Sequence, residues 1–239
     1  MRAEPLERER LAGDPLDAAR ALVGAFLVRD SEEAPRRVGR IVEVEAYVGQ
    51  EDAACHARFG RTARNSVMWG EPGVAYVYLV YGMYDCLNVV VAPPDRPAAV
   101  LIRAVEPIEG IDAMRAGRLA HAVARRRSWT ADRVRAEAVR LGGLDGSRIA
   151  SGPGAVSAAF SISRPDNGTD LCLGSSSLRL AADPGGAATP VVATPRIGID
   201  YAAEPWRSIA WRFVDPSSPA LSGPVGPRRR ARSSSRAGD

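Results

Sequence analysis

Glu43, Glu45 and Tyr47 alternate along an apolar run from Ile41 to Val48, and that spacing could do chemistry. Successive side chains of a strand point to opposite faces. One face here is Val42, Val44, Ala46 and Val48, which reads as core; the other is Glu43, Glu45 and Tyr47. Two neighbouring carboxylates on one face repel each other. They belong either on a solvated sheet surface or in a site where a carboxylate takes a proton from water or steadies a developing positive charge. The pattern alone weighs these readings about equally. Two residues along a strand span about 6.6–6.8 Å, which also suits the carboxylate pair of an inverting O-glycosidase. Against that reading, none of the four tryptophans lies near this strand as a sugar platform.

The residues that follow favour a working site. Glu51, Asp52 and His56 come after a turn at Gly49, and Tyr76, Tyr78, Tyr81 and Tyr84 place four of the six tyrosines within one short segment. Aromatic rings on a hairpin more often pack than bind, but clustered tyrosines can also sandwich a nucleobase, worth about 1–3 kcal/mol per base. Cys55, Cys86 and Cys172 are scattered, and His56 and His121 are the only histidines, so no metal or other cofactor is expected. Every basic residue except those histidines is arginine. Without lysine there is no side-chain amine to form a Schiff base with a sugar aldehyde.

The elements that must position these residues follow from local patterns. Asp14-Pro15 caps a helix expected over Leu16 to Val28. Strands are expected over Gly39 to Val48, Val74 to Val80, Cys86 to Val91 and Ala98 to Val105, the middle two joined as a hairpin through Gly82. Ile111 to Leu141 reads as two helices broken near Ser128, and Ala155 to Phe160 as another. Short strands are expected at Cys172, Leu178 and Arg196 to Ile199. The whole is an α+β fold, a single domain over residues 1–216 with a mainly antiparallel sheet. The Pro-, Ser-, Gly- and Arg-rich residues 217–239 read as a disordered basic tail.

In that tail, Arg228 to Asp239 holds five arginines against one aspartate, which accounts for the whole net charge of +4. The remainder is close to neutral, so binding to a polyanion must come from arginines placed locally. No apolar run approaches the roughly 20 residues of a membrane span, and Met1 to Arg10 lacks an apolar signal core. A cytoplasmic monomer with no membrane partner is expected, nucleoid-associated if the source is bacterial.

The ordered set Gly39 to Tyr47, Glu51 to His56, Thr62 to Asn65, Tyr76 to Tyr84, Asn88, Leu101 to Pro107, Ser151-Gly-Pro and Pro195 to Ile199 resembles the successive motifs of the alkyladenine (3-methyladenine) DNA glycosylases. The similarity runs from about Leu16 to Phe213. It implies that family's curved sheet with surrounding helices and a protruding, DNA-inserting hairpin. It also implies removal of alkylated or deaminated purines from double-stranded DNA by base flipping. By position, Glu45 resembles the general base that activates water. Tyr47, His56, Tyr78 and Asn88 resemble the base pocket, and Tyr81 the residue inserted into the duplex. Arg103 resembles a group near the target phosphate and the water, and the backbone of Ile197 a further water contact. Glu43 reads as structural support.

Family members often carry a lysine after Ser-Gly-Pro, where this chain has Gly154-Ala155. Arg61, Arg64 and Arg103 therefore become the candidates for neutralising the DNA backbone. Arg125, Arg126 and Arg127 face phosphate or solvent with equal weight, and His121 reads as a surface residue. A non-catalytic binder of damaged DNA is a further alternative, against which Glu45 itself stands.

Overall fold

The computed structural model describes residues 4–226 apart from 31, 33, 81, 127, 184 and 186–188. Helix α1 (Pro15–Leu22) starts as expected: Asp14 accepts from the amides of Leu16 and Asp17, and proline fills the first helical position. It does not continue to Val28. Gly24 turns the chain at φ +96°, and Phe26–Arg29 is strand β1. β1 pairs with β2 (Arg37–Tyr47) and β6 (Leu178–Ala181), and the apolar run there is continuous because both its faces are buried, Leu27 in the main core and Phe26 and Val28 in a separate cluster with Val38 and Ala181.

The rest of the sheet comprises β3 (Ala75–Val80), β4 (Tyr84–Val91), β5 (Ala98–Glu109), β7 (Val192–Thr194) and β8 (Arg212–Val214). Its order is β3-β4-β5-β2-β1-β6, with β8 also on β2 and β7 on β8, and every pairing among the described residues is antiparallel. β2 is the spine. One edge runs along β5, while the other pairs with β1 at Arg37 to Arg40 and with β8 at Glu43 to Glu45.

Strict alternation along β2 is broken between Ile41 and Val44, where the register against β5 shifts. A bulge re-aims side chains locally. Ile41, Val44 and Ala46 therefore share the main core, while Val42 lies with Ala104 and Ala220 in a separate cluster. The opposite face is not solvated: Glu43 and Glu45 are both fully buried.

Helices α2 (Ile111–Arg125), α3 (Ala131–Gly142) and α4 (Pro153–Ala159) complete the single α+β domain, with Ser128 in the break between α2 and α3. Glycine is required before α2. Gly110 has φ +79°, and a Cβ there would lie 2.1 Å from the carbonyl oxygen of Arg36. α4 packs on β4, β5 and α2, which closes the core around Val156, Phe160 and Met114. No helix among the described residues is long and apolar enough to cross a membrane.

Three other expectations change. Arg196 to Ile199 is a bend with Gly198 at φ +82°, and the strand lies just upstream as β7. Cys172 sits in a turn. The expected disorder does not begin at Ser217: Asp215 N donates to Val42 O at 2.9 Å, and Ala220 is fully buried. Tyr81, Arg127 and the arginines from Arg228 onward lie outside the described residues.

Candidate active site

β2 and its neighbours bring both carboxylates under one wall of a pocket of about 550 Å³. Glu43 is locked. Its Oε1 accepts from Arg103 Nε (2.9 Å), Arg212 Nε (2.8 Å) and Ser222 Oγ (2.7 Å), and its Oε2 from the amide of Ser222 (2.6 Å). Burial alone would raise the pKa of Glu43, but the hydrogen bond from Arg212 and the charges of Arg103 and Arg212 outweigh it and hold the carboxyl below its ordinary value. With four donors on it, two of them guanidiniums, Glu43 is poorly placed to handle a proton.

Glu45 is held more lightly. The amide of Ile197 donates to Oε1 at 2.7 Å, the Tyr47 phenol donates to Oε2 at 2.9 Å, and Arg103 Nη1 stands 3.3 Å from Oε1. All three holders line the pocket, so the carboxylate lies directly behind its wall. Burial opposes the charge on Arg103, yet Glu45 and Glu43 together raise its pKa. Two arginines therefore stand against two carboxylates, which removes the repulsion the bare sequence implies. Fixed partners of this kind also keep the charges where they are, because moving either would strand the other in a dry interior.

Tyr47 is set by a second buried ion pair. Arg196 meets Asp52 through Nη1 (2.6 Å) and Nη2 (2.9 Å), and both side chains are wholly inaccessible. The guanidinium lies 4.8 Å from the Tyr47 ring centroid and 5.2 Å from that of Trp211. Asp52 in turn accepts from the amides of Ala54 and Val48, which shapes the turn leading to His56. This pair ties together the two loops that flank the pocket.

The aromatic wall comes from the turn and the β3–β4 hairpin. His56 Nδ1 is 3.0 Å from Tyr76 Oη, and its ring meets Tyr78 edge-on at 4.4 Å. His56 keeps an exposed edge, but its packing against Tyr76 and Tyr78 shields the ring from water, and this desolvation, then the nearby guanidiniums of Arg64 and Arg58, lowers its pKa to about 4, so the ring is neutral at pH 7. Asn65 steadies this turn by donating to the carbonyl oxygens of His56 and Gly60. Asn88 Nδ2 donates to Tyr76 O (3.1 Å) and Cys86 O (3.4 Å), which fixes the amide in the pocket floor. Burial pushes the thiols of Cys55 and Cys86 up to about 11 and about 12, so neither is a nucleophile near neutral pH.

The structure thus brings Tyr47, His56, Tyr78, Asn88, Arg103 and Ile197 to one pocket, with Glu45 behind it. Arg64 also lines it, donating to Leu79 O (3.1 Å) and lying over Tyr78, while Arg61 is exposed outside it. Arg103 is buried in the carboxylate cluster. Ser151-Gly-Pro stands behind it, Gly152 N donating to Arg103 O at 2.9 Å. Sequence reasoning missed Arg212, Ser222 and Tyr201, the last of which lines the pocket. The pairing of Asp52 with Arg196 was not foreseen either, although both lie in the motifs.

An aromatic pocket of this volume has room for a flat heterocycle, and a carboxylate behind its wall could serve acid–base chemistry at the bond joining such a ring to whatever carries it. Enzymes that cleave N-glycosidic bonds of bases need this combination. The sequence profile described as methylpurine-DNA glycosylase matches residues 9–219, and the chain belongs to that family. It is a DNA glycosylase, a hydrolase. Similar curated proteins bear names built on "3-methyladenine DNA glycosylase". One from Methanocella arvoryzae is 47% identical over 207 residues, covering 87% of this chain and 90% of its own. One from Koribacter versatilis is 40% identical over 220 residues, covering 92% and 93%. A third, from Myxococcus xanthus, is 41% identical over 224 residues, covering 90% and 92%.

Proposed function

We propose that this glycosylase acts in base excision repair, flipping alkylated or deaminated purines out of duplex DNA and hydrolysing their N-glycosidic bond to leave an abasic site. Its substrates would include 3-methyladenine, 7-methylguanine, hypoxanthine and 1,N6-ethenoadenine, and it would act as a monomer. The observation that carries this reading is the position of Glu45 behind the aromatic pocket, held by Tyr47, Ile197 and Arg103.

A base inside a duplex is out of reach, and extruding it costs a few kcal/mol. Tyr81 would offset part of that by filling the vacated stack; it lies outside the described residues, next to β3. Tyr47, His56 and Tyr78 would hold the extruded ring. Electron-rich faces favour a cationic alkylpurine, and a neutral His56 avoids repelling it. The Asn88 amide, fixed by its two carbonyl acceptors, would screen the purine edge. As the bond stretches, positive charge develops on the sugar. Glu45 would steady that charge and take the proton of the attacking water, with Arg103 and the backbone of Ile197 beside it. Arg61 and Arg64 would meet backbone phosphates. A chain without lysine offers no side-chain amine for strand cleavage through a Schiff base, so the abasic strand would stay intact.

The test is release of free base from duplexes carrying each of the four lesions. Release from at least one is expected, and release from none would overturn the reading.

A further inference from the structure

A second cavity, of about 420 Å³, lies across the β3–β4 hairpin from the base pocket. Leu79 and Val80 line the first pocket, and Gly82 to Tyr84 line the second. Pro153 lines the first, and the next residue, Gly154, lines the second. One hairpin and the start of α4 are therefore the partition between them. The partition is tightly packed: a Cβ on Gly154 would lie 2.8 Å from the Tyr84 ring. The same ring stacks on His121, with centroids 5.7 Å apart and planes at 14°.

Arg118, Arg125, Arg126 and Arg140 converge on this cavity. Two of them are matched. Arg125 pairs with Asp85 (3.1 Å) and donates to Gly82 O (3.0 Å), while Arg140 Nε donates to Glu137 at 2.7 Å. The other two have no carboxylate within ion-pair distance among the described residues. Arg118 donates to the carbonyl oxygens of Ile149 (3.1 Å) and Arg148 (3.5 Å), and Arg126 lies 4.9 Å over the Trp129 ring. Burial, and then the charge of Arg140, lower the pKa of Arg118, while burial and Arg125 lower that of His121. Glu137 also lines the cavity and feels Arg118 and Arg126 as well as Arg140, but pairs directly only with Arg140, so four guanidiniums face two carboxylates, Asp85 and Glu137, in a domain whose sequence outside the tail is near neutral. Planar guanidinium forks suit phosphate oxygens.

We propose that this cavity binds a backbone phosphate of the duplex on the far side of the hairpin from the extruded base, with Arg118 and Arg126 supplying the charge. This rests on the glycosylase reading for its partner, since a strand delivering a base to the first pocket must pass the same hairpin. It adds Arg118 of α2 to the candidate DNA contacts and assigns Arg126, which the sequence left evenly between phosphate and solvent, to phosphate.

The test is the salt dependence of binding to an undamaged duplex, followed by fluorescence anisotropy. Removing one arginine–phosphate pairing lowers the log–log slope by about 0.9, or about 3.5-fold in affinity between 50 and 200 mM salt. Arg118→Gln and Arg126→Gln should each lower the slope, and the double variant most. Arg135→Gln, on an exposed α3 arginine paired with Asp132, should leave it unchanged. With only two histidines, the His121 imidazole resonance is a direct probe. Duplex should shift it in the wild type and not in the double variant. A double variant with the wild-type slope would overturn the proposal. So would a His121 resonance that responds to inorganic phosphate but not to duplex, which would mark a site for the free anion. A wild type that released no base yet showed the slope change would overturn the glycosylase reading and support this site.

Discussion

The Tyr47 phenol donates to Oε2 of Glu45 at 2.9 Å, although the two residues sit only two apart on the same strand. One side chain thus both lines the aromatic pocket and holds the carboxylate behind it. Tyr47→Phe separates these roles. The ring stays, so binding of lesion-bearing duplex should change little. The missing bond to a charged acceptor, worth about 1.5–3 kcal/mol, should lower single-turnover base release by about 10- to 100-fold if it steadies the transition state.

Glu45→Gln removes the proposed proton acceptor and keeps the shape. Base release should fall by about a hundredfold to ten-thousandfold, while affinity for the lesion duplex stays within a few-fold. Retained release would transfer the role of general base to another group. Glu43 is a poor candidate, since four hydrogen bonds, two of them from the guanidiniums of Arg103 and Arg212, hold it as a carboxylate, where Glu45 meets one arginine.

The strand carrying this site was legible in the sequence because alternation of Glu43, Glu45 and Tyr47 against Val44 and Ala46 is a local, period-two signal. The tyrosine-rich hairpin was legible for the same reason. The partners were not. Arg212 lies 169 residues from Glu43, and Arg196 lies 144 from Asp52, so no spacing rule connects them. Composition misled at Ser217 onward. A Pro-, Ser- and Gly-rich segment reads as disordered because it has little to bury, yet Ala220 is buried and the backbone of Ser222 is fixed by a charge. The α1–β1 boundary was readable in principle: Gly24 breaks the helical run, and Phe26 to Val28 are strand formers.

Asp52 and Arg196 form a wholly buried pair, and removing one partner leaves the other charge uncompensated. Asp52→Asn and Arg196→Met should each destabilise the fold by about 3–5 kcal/mol, read from denaturant midpoints. The two losses should not add in the double variant, since the second substitution removes the stranded charge. Additive losses would show that the pair is not coupled. Because Arg196 also lies against Tyr47, base release should fall in both single variants under conditions where they remain folded.

His56 gives a pH signature. Its pKa is lowered from 6.5 to about 4, so between these values the unfolded chain takes a proton that the folded one refuses. Stability is therefore full above about pH 6.5 and declines as the pH falls toward 4, where the loss levels off. His56→Gln, which does not titrate, should show a shallower fall in melting temperature over that window than the wild type. Protonation near pH 4 should also weaken binding of a cationic alkylpurine more than that of neutral hypoxanthine. Equal weakening for both lesions would separate His56 from the charge of the base.

Truncation distinguishes two parts of the C-terminal region. Ending the chain after Gly226 removes the five arginines from Arg228 onward and should leave the melting temperature unchanged, while reducing the salt sensitivity of non-specific DNA binding. Ending it after Pro216 also removes Ser222, and with it two of the donors to the buried Glu43, as well as the carbonyls of Gly223 and Pro224 that receive Arg212. A buried hydrogen bond to a charge is worth about 1.5–3 kcal/mol, so this shorter chain should melt earlier. Base release should fall with it, because Arg103 bridges Glu43 to Glu45 and loosening one carboxylate frees the arginine that steadies the other. Ser222→Ala removes only the hydroxyl donor and should produce a smaller fall in both measurements. Equal melting temperatures for the two truncations would separate residues 217–226 from the carboxylate cluster.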